Sequence, residues 1–294
     1  MSREVLDVVI RFHDVRRIVE LDRCIFSIAC QSYAPVIAHV VCQRFSNQDL
    51  ETVSVQLQHF RDLAPELTIK VHNMVDPEPR DARSLLINKG ISEAKGRYLA
   101  FLDYDDVTYP EGYRTLIGEL ASTDYAIAFG NIRSAYVSVD GDIFLTLTKK
   151  SVFHGNGVVD QLRQNFCPIH SFVLDRKRIS AEDLYFEPNL NKHEDYDFLI
   201  RICSKYLASF NKRSRFVGEY HKKDDGSNTI LVSSSATEES RREWERADEF
   251  LEERRRTTLV SPEVQRVIGI SQPDPSLTVA ALIEKFTGSP SNLS

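Results

Sequence analysis

Three aspartates fall within the four residues Asp103-Tyr104-Asp105-Asp106, directly after the apolar run Tyr98–Leu102. Adjacent carboxylates raise one another's pKa, so such a cluster needs a cation or positively charged partners. Mg²⁺ or Mn²⁺ would supply that charge, because both ions prefer oxygen ligands and commonly complete their shells with substrate phosphates. The cluster therefore indicates a metal and diphosphate site, or else an acidic turn in which Asp105 or Asp106 caps the next helix.

A second pair of carboxylates, Glu194-Asp195, opens the segment His193–Tyr206, which has helical periodicity. A carboxylate apart from the metal site could deprotonate an acceptor hydroxyl, while the metal neutralises charge on the leaving group. Acidic residues are also common in the first turn of a helix, where the macrodipole favours them. Taken alone, the pair fits either role.

A third polar run extends from His221 to Asn228 and contains Lys222, Lys223, Asp224, Asp225, Gly226 and Ser227. Imidazole can bind Mn²⁺, and the two lysines could contact phosphate or acceptor as point charges. Arg80 and Arg83 precede a predicted helix and could also meet a diphosphate. A solvated turn with an incidental histidine explains the third run equally well.

The elements that must position these residues alternate in type along the N-terminal part of the chain. Predicted strands are Leu6–Phe12, Ala38–Arg44, Leu67–Asn73 and Tyr98–Leu102, and predicted helices are Val15–Gln31, Asn47–Leu63 and Asp81–Ala94. This βαβαβ rhythm predicts an α/β fold whose sheet carries Asp103 at the carboxyl end of a strand. Ligands of open parallel sheets bind at that edge.

The C-terminal part of the sequence is less regular. Predicted elements are a helix from Pro110 to Leu120, strands at Tyr125–Gly130, Ala135–Val139 and Ile143–Thr148 with a turn at Asp140-Gly141, an apolar run at Ser171–Leu174, and a Glu/Arg-rich helix at Thr237–Arg256. We predict one domain over residues 1–232, with a donor half at 1–130 and an acceptor half at 131–232. A helical extension and tail would occupy residues 233–294.

Composition limits the classes of partner and compartment. The formal net charge of -6 gives no reason to expect nucleic acid as a partner, since nucleic acid would favour a basic stripe. The five cysteines, Cys24, Cys30, Cys42, Cys167 and Cys203, form no CxxC pair and suit a reducing compartment. The sequence has no apolar stretch of 18 residues and no signal-peptide pattern at its start. We expect a cytoplasmic protein without a transmembrane segment, with peripheral association at the inner membrane face as an option.

Several short motifs, in their order along the chain, resemble the signature of family 2 glycosyltransferases, which have the GT-A fold and invert the anomeric centre. These are the opening strand 8–13, the Gln-Ser-Tyr element 31–33, the segments 88–91, 94–98 and 101–106, and the Glu-Asp pair 194–195. The resemblance covers roughly residues 5 to 230. It implies a single mixed central sheet flanked by helices and a metal-dependent transfer from a nucleotide-diphosphate sugar.

The resemblance also assigns roles to residues. Asp105 would be the principal metal ligand, Asp103 would contact ribose or metal, and Asp106 would support both. Asp195, or failing that Glu194, would be the general base, and His221 would be a further metal ligand placed after the last core strand. The expected donor contacts are Asp103, Asp105, Asp106, Asn88, Arg83, Gln43, Arg11 and Lys222, and the expected cofactor is Mn²⁺ or Mg²⁺.

The sequence departs from the family pattern at the end of the second strand. Many relatives have an Asp-Asp-Gly-Ser element there that helps to recognise the base, whereas this chain has Cys42-Gln43-Arg44-Phe45-Ser46. Gln43 could hydrogen-bond a pyrimidine edge, and Arg44 or Phe45 could pack on the base. A UDP-sugar is expected only because that class is common in the family, with a glycan or lipid-linked acceptor in the synthesis of bacterial-type surface polysaccharide.

Two other function classes compete with sugar transfer. The strand followed by residues 103–108 also resembles the motif of the Mg²⁺-dependent haloacid dehalogenase phosphohydrolases, whose first aspartate is a nucleophile. That family normally opens near this motif, whereas here a complete βαβαβ unit precedes it. A noncatalytic nucleotide- or carbohydrate-binding module is the other alternative, and the Glu194-Asp195 pair argues against it.

Overall fold

The computed structural model describes residues 3–151, 154–225 and 238–287. Its strands are β1 Leu6–Phe12, β2 Val36–Gln43, β3 Leu67–Met74, β4 Tyr98–Asp103, β5 Val107–Thr108, β6 Ile127–Asp140, β7 Ile143–Ser151, β8 Phe172–Asp175 and β9 Ala208–Lys223. Its α-helices are α1 Ile18–Ala29, α2 Asn47–Leu57, α3 Phe60–Leu63, α4 Arg83–Glu93, α5 Gly112–Ser122, α6 Val158–Arg163, α7 Glu194–Lys205, α8 Glu238–Thr257, α9 Pro262–Val267 and α10 Val279–Thr287.

One mixed sheet runs through the described residues in the order β3-β2-β1-β4-β8-β6-β9-β5, and β7 pairs with β6. Strands β1 to β4 are mutually parallel, and β8 joins β4 in the antiparallel sense. Every residue of β1 except Arg11 is buried, as expected for a parallel strand covered by helices on both faces. The predicted βαβαβ arrangement and mixed sheet are confirmed.

The register of β1 against β4 places Arg11 opposite Asp103 at the carboxyl edge of the sheet. The helices that connect these strands must pack closely on the sheet. A Cβ on Gly90 of α4 would lie 2.3 Å from Val9 Cγ1 on β1. Glycine at this position therefore allows the close approach of α4 to β1.

The prediction of two strands at Tyr125–Gly130 and Ala135–Val139 is wrong, because β6 is one continuous strand. The chain continues as one strand through the polar residues Asn131, Arg133 and Ser134. Its parallel pairing with β9 shifts register between Ala128 and Ile132, so an irregularity in the ladder takes the place of a break in the strand. The turn after β6 is as predicted, with Gly141 at a φ of 57°.

The C-terminal extension is part of the main body of the protein. Leu251 of α8, Val264 of α9 and Leu282 of α10 are buried in the same hydrophobic cluster as the α4 and α7 side of the sheet. The predicted C-terminal helices are present up to residue 287, and they share this core. The predicted boundary at residues 232 and 233 lies outside the described residues. No helix in the described part is long and apolar enough to cross a membrane.

Candidate functional site

Arg11 joins two acidic groups at the carboxyl edge of the sheet. Its Nε and Nη2 atoms donate to Asp103 Oδ1 and Oδ2 at 2.6 and 3.0 Å, and its Nη1 donates to Glu194 Oε1 at 2.7 Å. Burial favours a raised pKa for Asp103, but the charge and hydrogen bonds of Arg11, with the charges of His170 and Arg83, together outweigh burial and lower the pKa. The cluster after β4 is thus tied through one guanidinium to the first turn of α7.

Asp106 is the most deeply buried member of the acidic cluster. Strand β5 pairs with β9, and this brings the His221 backbone N–H to 2.8 Å from Asp106 Oδ1. Asp106 Oδ2 has no hydrogen-bond partner among the described residues and lies 3.4 Å from His170 Nδ1. Burial, followed by the charges of Asp105 and Asp103, raises the pKa of Asp106 well above its usual value.

A buried lysine compensates Asp105. Lys223 Nζ lies 2.8 Å from Asp105 Oδ2 and 2.6 Å from Glu20 Oε2, and the lysine side chain is completely buried. The Asp105 side chain is 24% exposed, so solvent or a ligand can still reach it. The third acidic group is therefore held by a cation from β9 and remains accessible.

The chemistry of these carboxylates suits a hard cation. Across residues 3–151, 154–225 and 238–287, no three His, Cys, Asp or Glu side chains converge as a complete ligand set. The unpartnered oxygen of Asp106 and the accessible carboxylate of Asp105 are nevertheless ligands of the type that Mg²⁺ and Mn²⁺ prefer. Since such ions are often completed by substrate phosphates, the residues fit a cation that binds together with a diphosphate.

His221 lies within β9, and so the expectation that it follows the last core strand is wrong. Its Nδ1 atom is 3.0 Å from the Asp105 carbonyl oxygen, and its Nε2 atom is 3.4 Å from Glu219 Oε2. The ring is only 7% exposed. Because both ring nitrogens face protein groups, this arrangement presents His221 as a support for the Asp105 backbone and not as an open metal ligand.

Glu194 and Asp195 form the first turn of α7, and their environments differ. His193, which precedes them, has a φ of 59°, a conformation uncommon for a residue other than glycine and often found where a site imposes strain. Glu194 is paired with Arg11, whereas Asp195 Oδ1 accepts from the Tyr196 backbone N–H at 2.7 Å and from Asn165 Nδ2 at 3.3 Å. Burial, and then the Glu194 charge, raises the pKa of Asp195 to about 7.

One cavity of about 380 Å³ brings most of the predicted residues together. Its lining includes Arg11, Arg83, Asp103, Asp106, Glu194, Asp195 and Lys222. Asp105 and His221 are absent from the lining that the described residues form: Asp105 pairs with Lys223 and is reached from elsewhere, and both ring nitrogens of His221 face protein groups. A cavity of this size with converging polar groups is typical of a small-molecule site.

Two of the predicted donor contacts, Asn88 and Gln43, bind backbone groups of the protein. Asn88 Nδ2 donates to the Phe186 carbonyl at 2.7 Å, and Asn88 Oδ1 accepts from the Phe186 N–H at 2.7 Å, so its amide joins α4 to this segment. Gln43 Nε2 donates to the Arg80 carbonyl at 2.8 Å. Neither residue lines the cavity as the described residues define it. Gly226, Ser227 and Asn228 lie outside the described residues.

The two residues expected to pack on a base are also engaged elsewhere. Phe45 is 9% exposed and packs edge-on against Phe12, with ring centroids 5.3 Å apart. Arg44 has a φ of 56° and donates to the carbonyls of Asp76 and Arg80. Both side chains therefore hold the end of β2 and the segment beyond β3 in place, and neither is free to stack on a base in this arrangement.

Further residues line the site, and three of them, Asn165, His170 and Trp244, were not among the candidates predicted from the sequence. The cavity lining also contains Asn165, His170, Lys192, His193 and Trp244. Asn165 and His170 belong to an irregular stretch without periodicity, and Trp244 is distant in sequence on α8. Lys223 lies near His221 in the sequence and belongs to the same predicted polar run. Its ion pair with Asp105 depends on where β9 lies in the sheet.

Comparisons with known proteins agree on the fold. The model of the family described as Glycosyl transferase family 2 matches residues 16–182. The first TarS 1-349 structure from S. aureus has a TM-score of 0.54 at 14% identity, covering 74% of this chain, and the chain spans only 60% of it. TarS 1-349 in complex with UDP-GlcNAc has a TM-score of 0.58 at 15% identity, covering 96% of this chain and 71% of that one.

A third structure is the mannosyltransferase PcManGT from Pyrobaculum calidifontis in complex with GDP-Man and Mn²⁺. Its TM-score is 0.54 at 11% identity, with 99% of this chain and 77% of that chain covered. At such low identity the likeness establishes the fold only. No curated protein matches the sequence.

Proposed function

Because the chain belongs to glycosyl transferase family 2, we propose that it transfers a sugar from a UDP-sugar to a hydroxyl of a glycan or lipid-linked acceptor, with inversion. It is a glycosyltransferase of GT-A fold, and nucleotide-sugar transfer follows from the family. The choice of UDP draws on the TarS complexes with UDP and UDP-GlcNAc. The GDP-Man complex of the mannosyltransferase makes GDP the alternative to test.

The observation that carries the proposal is that the neighbouring carboxylates Glu194 and Asp195 differ in charge compensation. Glu194 is neutralised by Arg11, whereas Asp195 faces the same cavity with its pKa raised to about 7. A general base works best when its pKa lies near the working pH. This difference supports Asp195, and not Glu194, as the group that accepts the proton of the acceptor hydroxyl.

The proposed reaction is a single displacement. Asp195 accepts the proton as the hydroxyl oxygen forms a bond to the anomeric carbon, and the bond from that carbon to the diphosphate oxygen breaks with its electron pair. Arg83 and Lys222, both in the cavity lining, would bind the diphosphate oxygens. Mn²⁺ or Mg²⁺, held by Asp105 with support from Asp106, would neutralise charge on the departing diphosphate.

The competing phosphohydrolase reading has less support in the geometry of Asp103. An aspartate nucleophile needs a free carboxylate oxygen, but both oxygens of Asp103 accept hydrogen bonds from Arg11. Phosphatase activity that depends on Asp103 and needs no nucleotide sugar would restore that reading. Donor binding without transfer or donor hydrolysis would instead favour a noncatalytic module.

A thermal-shift screen with UDP, GDP and other nucleoside diphosphates, each with and without Mn²⁺, tests the donor half of the proposal. A ligand that binds only the native state adds about 2.7 kcal/mol at a concentration of 100 times its Kd. We expect UDP to raise the unfolding temperature more than GDP, and more with Mn²⁺ than with EDTA. The proposal is refuted if no nucleoside diphosphate stabilises the protein, either with Mn²⁺ or with EDTA.

Release of nucleoside diphosphate from the selected sugar donor then tests turnover. We place the enzyme in the cytoplasm, in bacterial-type surface polysaccharide synthesis, with peripheral membrane association if its acceptor is lipid-linked. Co-sedimentation with vesicles that contain the lipid-linked acceptor, compared with vesicles that lack it, would test the membrane part separately.

A further inference from the structure

Trp244 on α8 forms part of the wall of the catalytic cavity, although it lies outside the residues that match the family. It is the single tryptophan of the chain. Its side chain is half-buried and shares the cavity with Glu194 and Asp195. A large aromatic surface thus stands in the same cavity as the proposed general base and is contributed by an element that the family signature does not include.

The neighbours of the indole hold it against the start of α7. The His193 ring meets the indole edge-on, with centroids 4.7 Å apart and an interplanar angle of 78°. Lys192 Nζ lies 5.6 Å from the indole centroid. His193 and Lys192 directly precede Glu194-Asp195, so the indole is placed on the Asp195 side of the cavity.

Helix α8 is itself firmly anchored, which gives Trp244 a defined position. Arg254 Nε lies 2.6 Å from Asp197 Oδ1, an aspartate that is fully buried in α7. Asp248 Oδ1 lies 3.3 Å from His193 Nε2. Both contacts lie on the C-terminal side of Trp244 in α8 and hold the helix against the start of α7. The aromatic surface is therefore ordered before any ligand arrives, which lowers the entropy cost of binding.

We propose that Trp244 is the platform on which the accepting pyranose ring stacks while Asp195 takes the proton of its hydroxyl group. The C–H face of a pyranose is apolar and weakly positive, and it matches the broad, negative face of an indole. The acceptor class is therefore a pyranose with a free hydroxyl, presented alone or at the end of a glycan. This inference rests on the proposed function, and it assigns acceptor specificity to the C-terminal extension.

The first experiment uses the fluorescence of the single tryptophan in the full chain. Methyl pyranosides of glucose, mannose, galactose and N-acetylglucosamine are added to protein saturated with nucleoside diphosphate and Mn²⁺ for the emission measurement. They are added to protein with the sugar donor and Mn²⁺ for the release measurement. We expect at least one pyranoside to accelerate nucleoside diphosphate release from the sugar donor above the rate in water, and to change the Trp244 emission with a matching midpoint. Acceleration without a change in emission would overturn the platform.

Variants separate a platform from a packing role. Trp244→Ala is expected to raise the acceptor KM by about tenfold or more, a larger factor than any change in the donor KM, and Trp244→Phe should recover most of the loss. Phe250→Ala is the matched control, because Phe250 is a half-buried aromatic residue of α8 that lines a different cavity. Its acceptor KM should equal that of the wild type.

The outcomes distinguish the inference from the proposed function. If the wild type releases no nucleoside diphosphate from any sugar donor, even to water, the proposed function fails. If release occurs but no pyranoside accelerates it, or if Trp244→Ala raises the acceptor KM no more than Phe250→Ala does, only the platform is wrong.

Discussion

Replacing Asp195 by asparagine removes the proposed base while keeping the shape of the side chain. The contact from Asn165 Nδ2 to the Oδ1 atom can persist, because an amide oxygen accepts a hydrogen bond as a carboxylate does. Glu194 stays bound to Arg11. Asp195→Asn therefore changes the proton acceptor and leaves the Arg11 bridge from Asp103 to Glu194 in place.

The expected size of the effect follows from the raised pKa. Loss of a general base costs about 10²- to 10⁴-fold in rate. In the wild type, a pKa of about 7 for Asp195 predicts an acid limb in kcat/KM, with activity falling about tenfold per pH unit below the midpoint. Asp195→Asn should lose this limb. Glu194→Gln should move it to lower pH, because the Glu194 charge is one cause of the raised pKa.

The same substitution is expected to lower activity but to raise the stability of the folded protein at alkaline pH. The native state holds the Asp195 proton more tightly than the unfolded chain, whose ordinary pKa is 3.8. Stability from this group is therefore complete below the unfolded pKa and is lost as pH rises toward the native pKa. Asp195→Asn should raise the free energy of unfolding at pH 8 relative to wild type, on the order of 1–2 kcal/mol after allowing for water in the cavity.

Initial rates of nucleoside diphosphate release between about pH 5.5 and pH 9, with urea unfolding at both ends of that range, measure these effects together. A mutant that keeps wild-type activity, or one that keeps the same acid limb, would refute the assignment of Asp195. Lost activity together with lower stability at pH 8 would show that the residue acts through folding instead.

Three further predictions concern the scaffold, the metal and the Arg11 bridge. Gly90→Ala should lower the urea-derived free energy of unfolding by about 1–3 kcal/mol, because the new Cβ would meet Val9 Cγ1 at 2.3 Å. Gly118→Ala, in an exposed helical position with nothing within 4 Å of its Cβ, should raise it by up to about 1 kcal/mol, and equal effects would contradict the packing argument. Asp105→Asn should abolish the Mn²⁺-dependent part of UDP binding in calorimetry, and an undiminished Mn²⁺ response would assign the metal to other residues. Arg11→Lys keeps the charge but loses the two-pronged bond, so transfer and unfolding free energy should both fall, the latter by about 1–3 kcal/mol, and no change in either would show that the bridge is unimportant.

Much of the fold could be predicted because local runs of apolar residues indicate which segments are buried. The buried run of β1 and the segment 98–103 indicate parallel strands, and a strand of that kind must end at the edge where Asp103 lies. The motif that includes Gly90 and Gly96 marks the family, and the structure gives the reason for both residues. A Cβ on Gly96 would lie 2.6 Å from the Val5 carbonyl oxygen.

Local patterns failed where polar residues enter the sheet. The prediction ended one strand at Gly130 and began the next at Ala135, but β6 continues through Asn131 and Ser134, because β9 pairs with it from Ile127 to Val137. The same pairing places His221 inside a strand and Lys223 beside Asp105. A partner strand that lies some 80 residues away along the chain cannot be inferred from periodicity.

The sequence by itself determined which chemical groups exist and the edge of the sheet at which the acidic cluster stands. Only the tertiary structure decided how these groups pair and which of them reach the cavity. Arg11 binds Asp103 and Glu194, Asn88 binds backbone, and Trp244 lines the cavity. The physical reason is that residue type and periodicity report burial along a strand or helix, whereas pKa, ion pairing and access depend on neighbours that strand register and helix docking bring from distant segments.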